Sequence, residues 1–373
     1  MNKNYEKLFE TYKFKSGATL ENRILIAPMT TTSGFENGMT TIDELNYYSR
    51  RSGGVGGFIT ACAYVERIGK CFPGGIAADD DAYILSLEKI ANTIKSKGSK
   101  AILQIFHGGR MVRQDTIGNK QPVSASNIPA EYLPDVIPRE MTEIEVENAV
   151  KAFGKATKRA IQAGFDGIEI HGANTYLLQQ FFSPHSNRRQ DKWGGTLEKR
   201  MEFPLAVTDK VLKTVKKYAD KPFITGYRFS PEENENPGIT LKDTFELIDN
   251  LANTELDYLH VSLQNYRQGS IRNSEDSKPV LLRINNIVKN RIAVIGVGGV
   301  KTPEDALDML SMGIPLVALG REIIVEPEWV QKIKNGHESE LKYFLDLNRK
   351  EELSIPDPMW NYILRRQGWI PVK

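Results

Sequence analysis

The chain has 373 residues, 49 basic against 47 acidic side chains, a formal net charge of +2 and 40% hydrophobic residues. That is enough apolar material for one large α/β barrel or two medium domains, and the even charge balance argues against nucleic acid or an anionic membrane as partner. Two cysteines, Cys62 and Cys71, cannot build a disulfide framework, a zinc centre or an iron–sulfur cluster alone.

The opening MNKNYEKLFETYKFK is too polar for a secretory signal, and no apolar run approaches the roughly 20 residues of a membrane span, so a reduced, cytoplasmic setting is expected. Residues 12–20, YKFKSGATL, read as a small hairpin closing the bottom of a barrel. Strand-like runs then follow at RILIAPM (23–29), GGFITACAYV (56–65), AILQIFH (101–107), DGIEIHG (166–172), FITGYRF (223–229), DYLHVSL (257–263), IAVIGVGG (292–299) and LVALGR (316–321). Most are apolar throughout, as parallel strands buried on both faces require. Residues 110–140, rich in proline, read as a long loop above the third strand. Residues 143–164 are the clearest helix, with apolar positions at three- and four-residue steps, Thr142 and Glu145 as a capping box and Gly164 as terminator.

Eight strands alternating with helices predict an α/β fold, a single (β/α)8 TIM barrel over about 23–338 within one domain spanning 1–373. A C-terminal extension runs from about 339 to 373. Its Met359, Trp360, Arg365, Arg366 and Trp369 either reach a neighbouring copy's site or fold onto their own barrel. A doubly wound sheet would want a glycine-rich turn after the first strand, and PMTTTSGFENG is a poor match.

Barrel chemistry sits at the C-terminal strand ends. Gly298-Gly299 and Gly320-Arg321 end the seventh and eighth strands, where close backbone N–H groups and a fixed charge suit a phosphate, with Thr302 and Pro303 starting the next helix. Tight turns alone would explain either pair, but two pairs at these two ends, one containing an arginine, favour the phosphate. Arg228 on the fifth strand either faces an anion, such as a ring that becomes anionic on reduction, or pairs with Glu169. Gln104 either meets a pyrimidine-like edge or bonds the backbone. After the fourth strand, His171 and Asn174 offer two donors to one carbonyl oxygen, and Tyr176 is placed as a general acid. His260 reads as barrel filling, His107 as a loop-ordering residue, and His185 and His337 as peripheral.

The run HGANTYLLQQFFSPHSNRRQDKWGGTLEKR (171–200), with RILIAPMT, ILQIFHGGR, GYRFSPEE, IGVGGV and ALGR in order, resembles the Old Yellow Enzyme family of FMN-dependent ene-reductases. The resemblance implies bound FMN and NADH or NADPH as hydride donor. It implies that Ala27, Pro28, Met29 and Thr30 line the flavin, that Cys62 lies beside the ring, and that Gln104 and Arg228 hold its pyrimidine end. Gly298, Gly299, Gly320 and Arg321 would take the phosphate. His171 and Asn174 would grip the substrate carbonyl beside Phe106, and Tyr176 would supply a proton. Several family members have cysteine at Thr30, tryptophan at Phe106, glycine at Thr175 and glutamate at Ala61. Longer relatives with an iron–sulfur cluster and a second flavin domain do not match this size and cysteine count.

The expected activity is NAD(P)H-driven reduction of the activated C=C bond of α,β-unsaturated carbonyl compounds. The alternative enzyme is a flavin, quinone or nitro-compound reductase without enone preference. A non-catalytic flavin-binding barrel and a flavin-free aldolase or isomerase are the readings from other classes, although no strand-end lysine supports the last. The expected partner is a small enone or quinone, with a homo-oligomer open.

Overall fold

The computed structural model describes residues 3–373. Eight strands carry the barrel: β1 Ile24–Ile26, β2 Gly57–Ile59, β3 Lys100–Phe106, β4 Gly167–Gly172, β5 Ile224–Phe229, β6 Tyr258–Val261, β7 Ala293–Val297 and β8 Leu316–Leu319. Each pairs in parallel with the next, and β8 pairs with β1, so the sheet closes on itself. Helices α1 Ile42–Arg51, α2 Ile84–Lys95, α3 Glu143–Gln162, α4 Leu197–Tyr218, α5 Leu241–Ala252, α6 Val280–Val288, α7 Pro303–Ser311 and α8 Trp329–Asn335 surround it. The reading of a (β/α)8 barrel is therefore what the chain adopts.

Local chemistry explains where these elements start. Thr142 and Glu145 cap α3 reciprocally, as the sequence predicts, and Thr302 with Asp305 does the same for α7, with Pro303 at its first position. The strands are buried almost throughout, so apolar side chains serve both the interior and the helix-facing side.

The hairpin of Tyr12–Lys13 and Thr19–Leu20 pairs antiparallel below the barrel. Its Phe14, Ala18 and Leu20 pack with Leu25, Ile59, Ile102, Ile224, Tyr258, Ile295 and Leu316 in one interior cluster. Gly226 makes this possible: a Cβ there would lie 2.1 Å from the Tyr258 ring.

Two expectations change, and one left open is decided. The run at 56–65 is two strands, not one. β2 stops at Ile59, and Ala63–Tyr64 forms a separate strand beside Ile105–Phe106. The long loop carries a small parallel pair, Val123–Ser124 with Arg139–Glu140. The C-terminal extension forms helix α9, Asp357–Arg365, and folds onto its own barrel, burying Met359, Ile363 and Ile370. No helix among the described residues is long and apolar enough to cross a membrane.

Candidate active site

Side chains two positions apart on a strand share a face, so Glu169 and His171 both enter the barrel. The register sets Glu169 beside Gln104, His171 beside Arg228, and Arg228 beside His260. These residues form a polar layer between the apolar floor and the mouth. Within it Gln104 Nε2 donates to Glu169 Oε1 at 2.7 Å, and His260 Nδ1 donates to Glu169 Oε2 at 2.9 Å. Glu169 and His260 are fully buried.

Arg228 is the exception. Its guanidinium makes no hydrogen bond or ion pair among the described residues, and its buried Nε has no partner. The Glu169 pairing offered as one reading of Arg228 is absent, because that carboxylate is occupied by Gln104 and His260. Burial pulls the guanidinium below its ordinary pKa, while the Glu169 charge pulls it back. A buried unpaired arginine is expensive unless an anion meets it.

The loop after β4 carries the remaining predicted groups. The Ala173 N–H donates to His171 Nδ1 at 3.3 Å, so in the neutral ring Nε2 bears the proton. Burial, then the Arg228 charge, pushes His171 well below its ordinary pKa and keeps the ring neutral. Asn174 Oδ1 accepts from Ser262 Oγ at 2.9 Å, which leaves Nδ2 as its free end, and its backbone N–H donates to Ser230 Oγ at 2.9 Å. Tyr176 stands edge-on to His171, 4.9 Å between ring centroids, and to Phe106 at 5.1 Å. Burial pushes its phenol well above its ordinary pKa, so it stays protonated.

Asn174 and Thr175 both adopt left-handed backbone, φ +55° and +63°. The second is costly for a β-branched residue. Thr175 is held on every side: its N–H by Gln179 Oε1 at 2.9 Å, its carbonyl by Gln180 Nε2 at 2.6 Å and its hydroxyl by Tyr132 at 2.8 Å.

A cavity of about 400 Å³ runs from Arg228, Ala27 and Met29 past Gly298, Gly299, Gly320 and Arg321. Gly298 and Gly299 have φ of +123° and +70°. A Cβ on Gly298 would press on Leu263 O at 2.8 Å, whereas one on Gly320 would project to within 4 Å only of Met29 and Ala27, the cavity's own lining. Gly298 is therefore pressed against the loop after β6, and at Gly320 the backbone is bare toward the cavity. The start of α7 is not free for an anion, since the N–H groups of Lys301 and Thr302 both donate to Asp305 Oδ2 at 2.9 Å. The donors available are those of the glycine loops and Arg321, whose Nη1 also donates to Trp369 O at 3.1 Å. An anionic tail at one end and a ring that gains negative charge against Arg228 at the other fit this donor set, and FMN has both.

The other predicted residues fall around this axis. Thr30 Oγ1 lies 3.8 Å from Cys62 Sγ, and burial pushes the Cys62 thiol up to about 12. Pro28 is half-buried between Ala27 and Met29. Phe106 is buried with Cys62 and Tyr64, against Phe72 and Tyr176. His107 orders its loop as expected, with Nδ1 accepting from Gly109 N–H at 3.1 Å. Sequence reasoning missed Ser230, Ser262 and Glu322, and left open which barrel Trp369 of the tail would meet. Ser230 and Ser262 directly follow β5 and β6, the positions where barrel chemistry is sought, and Glu322 and Trp369 line the cavity with Gly320 and Arg321.

The sequence model of the NADH:flavin oxidoreductase / NADH oxidase family matches residues 7–340. The chain is 46% identical over its whole length, and that of the relative, to a probable NADH-dependent flavin oxidoreductase of Bacillus subtilis (strain 168). It is 45% identical to the NADH:fumarate oxidoreductase of Klebsiella pneumoniae (strain 342) over 96% of this chain but 39% of that protein. A similar match, 46% identity over 95% of this chain and 35% of the relative, joins it to the NADH:acrylate oxidoreductase of Vibrio harveyi. Among solved structures, the old yellow enzyme homologue from Zymomonas mobilis superposes with a TM-score of 0.76 at 25% identity, over 88% of this chain and 93% of that one.

Proposed function

The chain belongs to the NADH:flavin oxidoreductase / NADH oxidase family, and from that premise we propose that it carries hydride from NADH or NADPH to the activated C=C bond of an α,β-unsaturated carbonyl compound. FMN, the cofactor of this family, supplies when bound a ring that can accept and return hydride. Ala27, Pro28, Met29, Thr30 and Cys62 would line that ring, Gln104 and Arg228 would face its pyrimidine end, and Gly298, Gly299, Gly320 and Arg321 would take the phosphate.

The chain's own groups then divide the work on the substrate. His171 Nε2–H and Asn174 Nδ2 are the two free donors, and each is aimed by a bond to its opposite end. Held on one carbonyl oxygen, they stabilise the negative charge that develops there. Neutrality matters for His171, because a neutral donor polarises the oxygen without surrendering its proton. Tyr176 retains its proton at neutral pH and stands beside His171, placed to deliver it to the α-carbon. Phe106 and Phe72 provide an apolar wall, with rings 6.1 Å apart, that excludes water from the reacting face.

The observation that carries this reading is the set of unmet polar ends at the mouth: Arg228, His171 Nε2 and Asn174 Nδ2 all lack protein partners among the described residues. A second reading is favoured by one comparison. Relatives named for acrylate and fumarate have this chain's counterpart as 35% and 39% of their length, so electrons taken from NADH here could pass to a quinone, a nitro compound or another flavin instead. The FMN-loaded chain, reduced with NADH in the absence of oxygen, separates the two. Rapid reoxidation by cyclohexenone is expected. Reoxidation by quinones or nitro compounds with none by the enone would establish the second reading.

A further inference from the structure

The polar layer beneath the mouth contains a group that neither substrate nor cofactor would touch. Glu169 is fully buried, and an isolated carboxylate there would be strongly disfavoured. Burial indeed drives its pKa up, but His260, Arg228 and Gln104 together outweigh that and hold it ionised. His260, itself buried, stays neutral, with Nδ1–H given to Glu169 and Nε2 left unpartnered. The layer therefore contains two full charges, the Glu169 carboxylate and the Arg228 guanidinium. The guanidinium lines the cavity, and the carboxylate lies below it.

Two consequences follow from this placement. A negative charge behind Arg228 subtracts from the positive potential at the cavity, and it does so strongly because the carboxylate is fully buried. The same carboxylate binds the amide nitrogen of Gln104, which turns the Gln104 carbonyl away from Glu169 as the end available to a ligand. We propose that Glu169 is a positioning residue for the cofactor, one that fixes the orientation of Gln104 and tempers the charge of Arg228, and thereby sets the reduction potential of bound FMN. This rests on the reading that the flavin ring lies over Arg228. A reduced ring bears more negative charge than an oxidised one, so weakening the counter-charge beneath Arg228 favours the reduced form.

The test is the midpoint potential of FMN bound to the full chain, measured by equilibrium with redox dyes, together with FMN affinity from quenching of its fluorescence. Glu169→Gln, which keeps the shape and loses the charge, shifts the potential upward from wild type. Glu169→Asp, which keeps the charge but withdraws it by one methylene, shifts it in the same direction by less. Should Glu169→Gln fail to retain FMN, the Glu169→Asp value decides alone: an upward shift supports the role, and an unchanged or lowered potential overturns it. Arg228→Met tests the underlying placement and lowers the potential. If Arg228→Met lowers it while neither Glu169 variant raises it, only the role of Glu169 falls. If Arg228→Met leaves the potential unmoved, the placement of the ring over Arg228 is wrong and the proposal falls with it.

Discussion

The floor and the mouth of this barrel are built from the same strands by opposite rules. At the floor, Phe14, Leu20, Ile102, Ile224 and Tyr258 fill the interior, and a glycine is spent at position 226 to admit one more ring. At the mouth, four residues along β5 from Ile224, Arg228 is buried without a partner, and Asn174 and Thr175 hold left-handed backbone. The floor departs from these rules at one atom, the unpartnered Tyr258 hydroxyl, whereas the mouth departs at several, and such departures concentrate where a ligand is meant to complete the structure.

The comparison can be broken most sharply at the donor pair. Replacing both His171 and Asn174 by alanine is expected to slow enone reduction by about a thousandfold or more, the scale of lost oxyanion donors. Reduction of the loaded chain by NADH should suffer far less, and thermal stability should hardly change. Stopped-flow traces of the two half-reactions give the answer, and equal losses in both would remove the polarising role. At the floor the sign reverses. Phe14→Ala should cost about 3 kcal/mol of stability by leaving a cavity, measured by denaturant unfolding, while FMN affinity stays as in wild type.

Smaller effects sharpen the contrast. Thr175→Gly should stabilise the chain by about 1 kcal/mol, because glycine tolerates the left-handed backbone, and the exposed bond to Tyr132 that it loses is weak. A fall in melting temperature would show that the strain is not real. The smallest effect concerns pH. Burial raises the Glu322 carboxyl, beside Arg321 in the cavity, to about 8, so it is neutral when folded over the range from about 4.5 to 8, where the unfolded chain's glutamate is ionised. The folded chain binds the extra proton, so this group erodes stability as pH rises through that window. Above pH 8 its negative charge also opposes the phosphate. FMN affinity should therefore weaken from pH 7 to 9, and Glu322→Gln should flatten that profile in a fluorescence titration.

The same contrast governs what could be read from the sequence. The eight strands were legible because a parallel barrel strand is apolar on both faces. Their ends were not, since Met29 lines the cavity and Cys62 is buried just beyond β2, and both are apolar too. The run at 56–65 concealed a break for the same reason: Thr60, Ala61 and Cys62 give no polar signal where β2 ends. Arg228, His171, Asn174 and Tyr176 stood out because such side chains have no reason to end buried strands. Glu169 and His260 lie on those strands as well, but no spacing rule reveals that one carboxylate binds Gln104 and His260 while leaving Arg228 alone. The bond from Arg321 to the Trp369 carbonyl joins residues 48 apart in the chain, and nothing local encodes it.

The claim that the mouth gives up stability for its ligand is tested most directly by the melting temperatures of wild type and Arg228→Met, each measured empty and with saturating FMN. The empty variant is expected to melt higher than empty wild type, because an unpaired buried charge is gone. With FMN the order should invert, since binding stabilises in proportion to affinity and the variant binds less tightly. An empty variant that melts lower than wild type, or one that gains as much from FMN, would contradict the account.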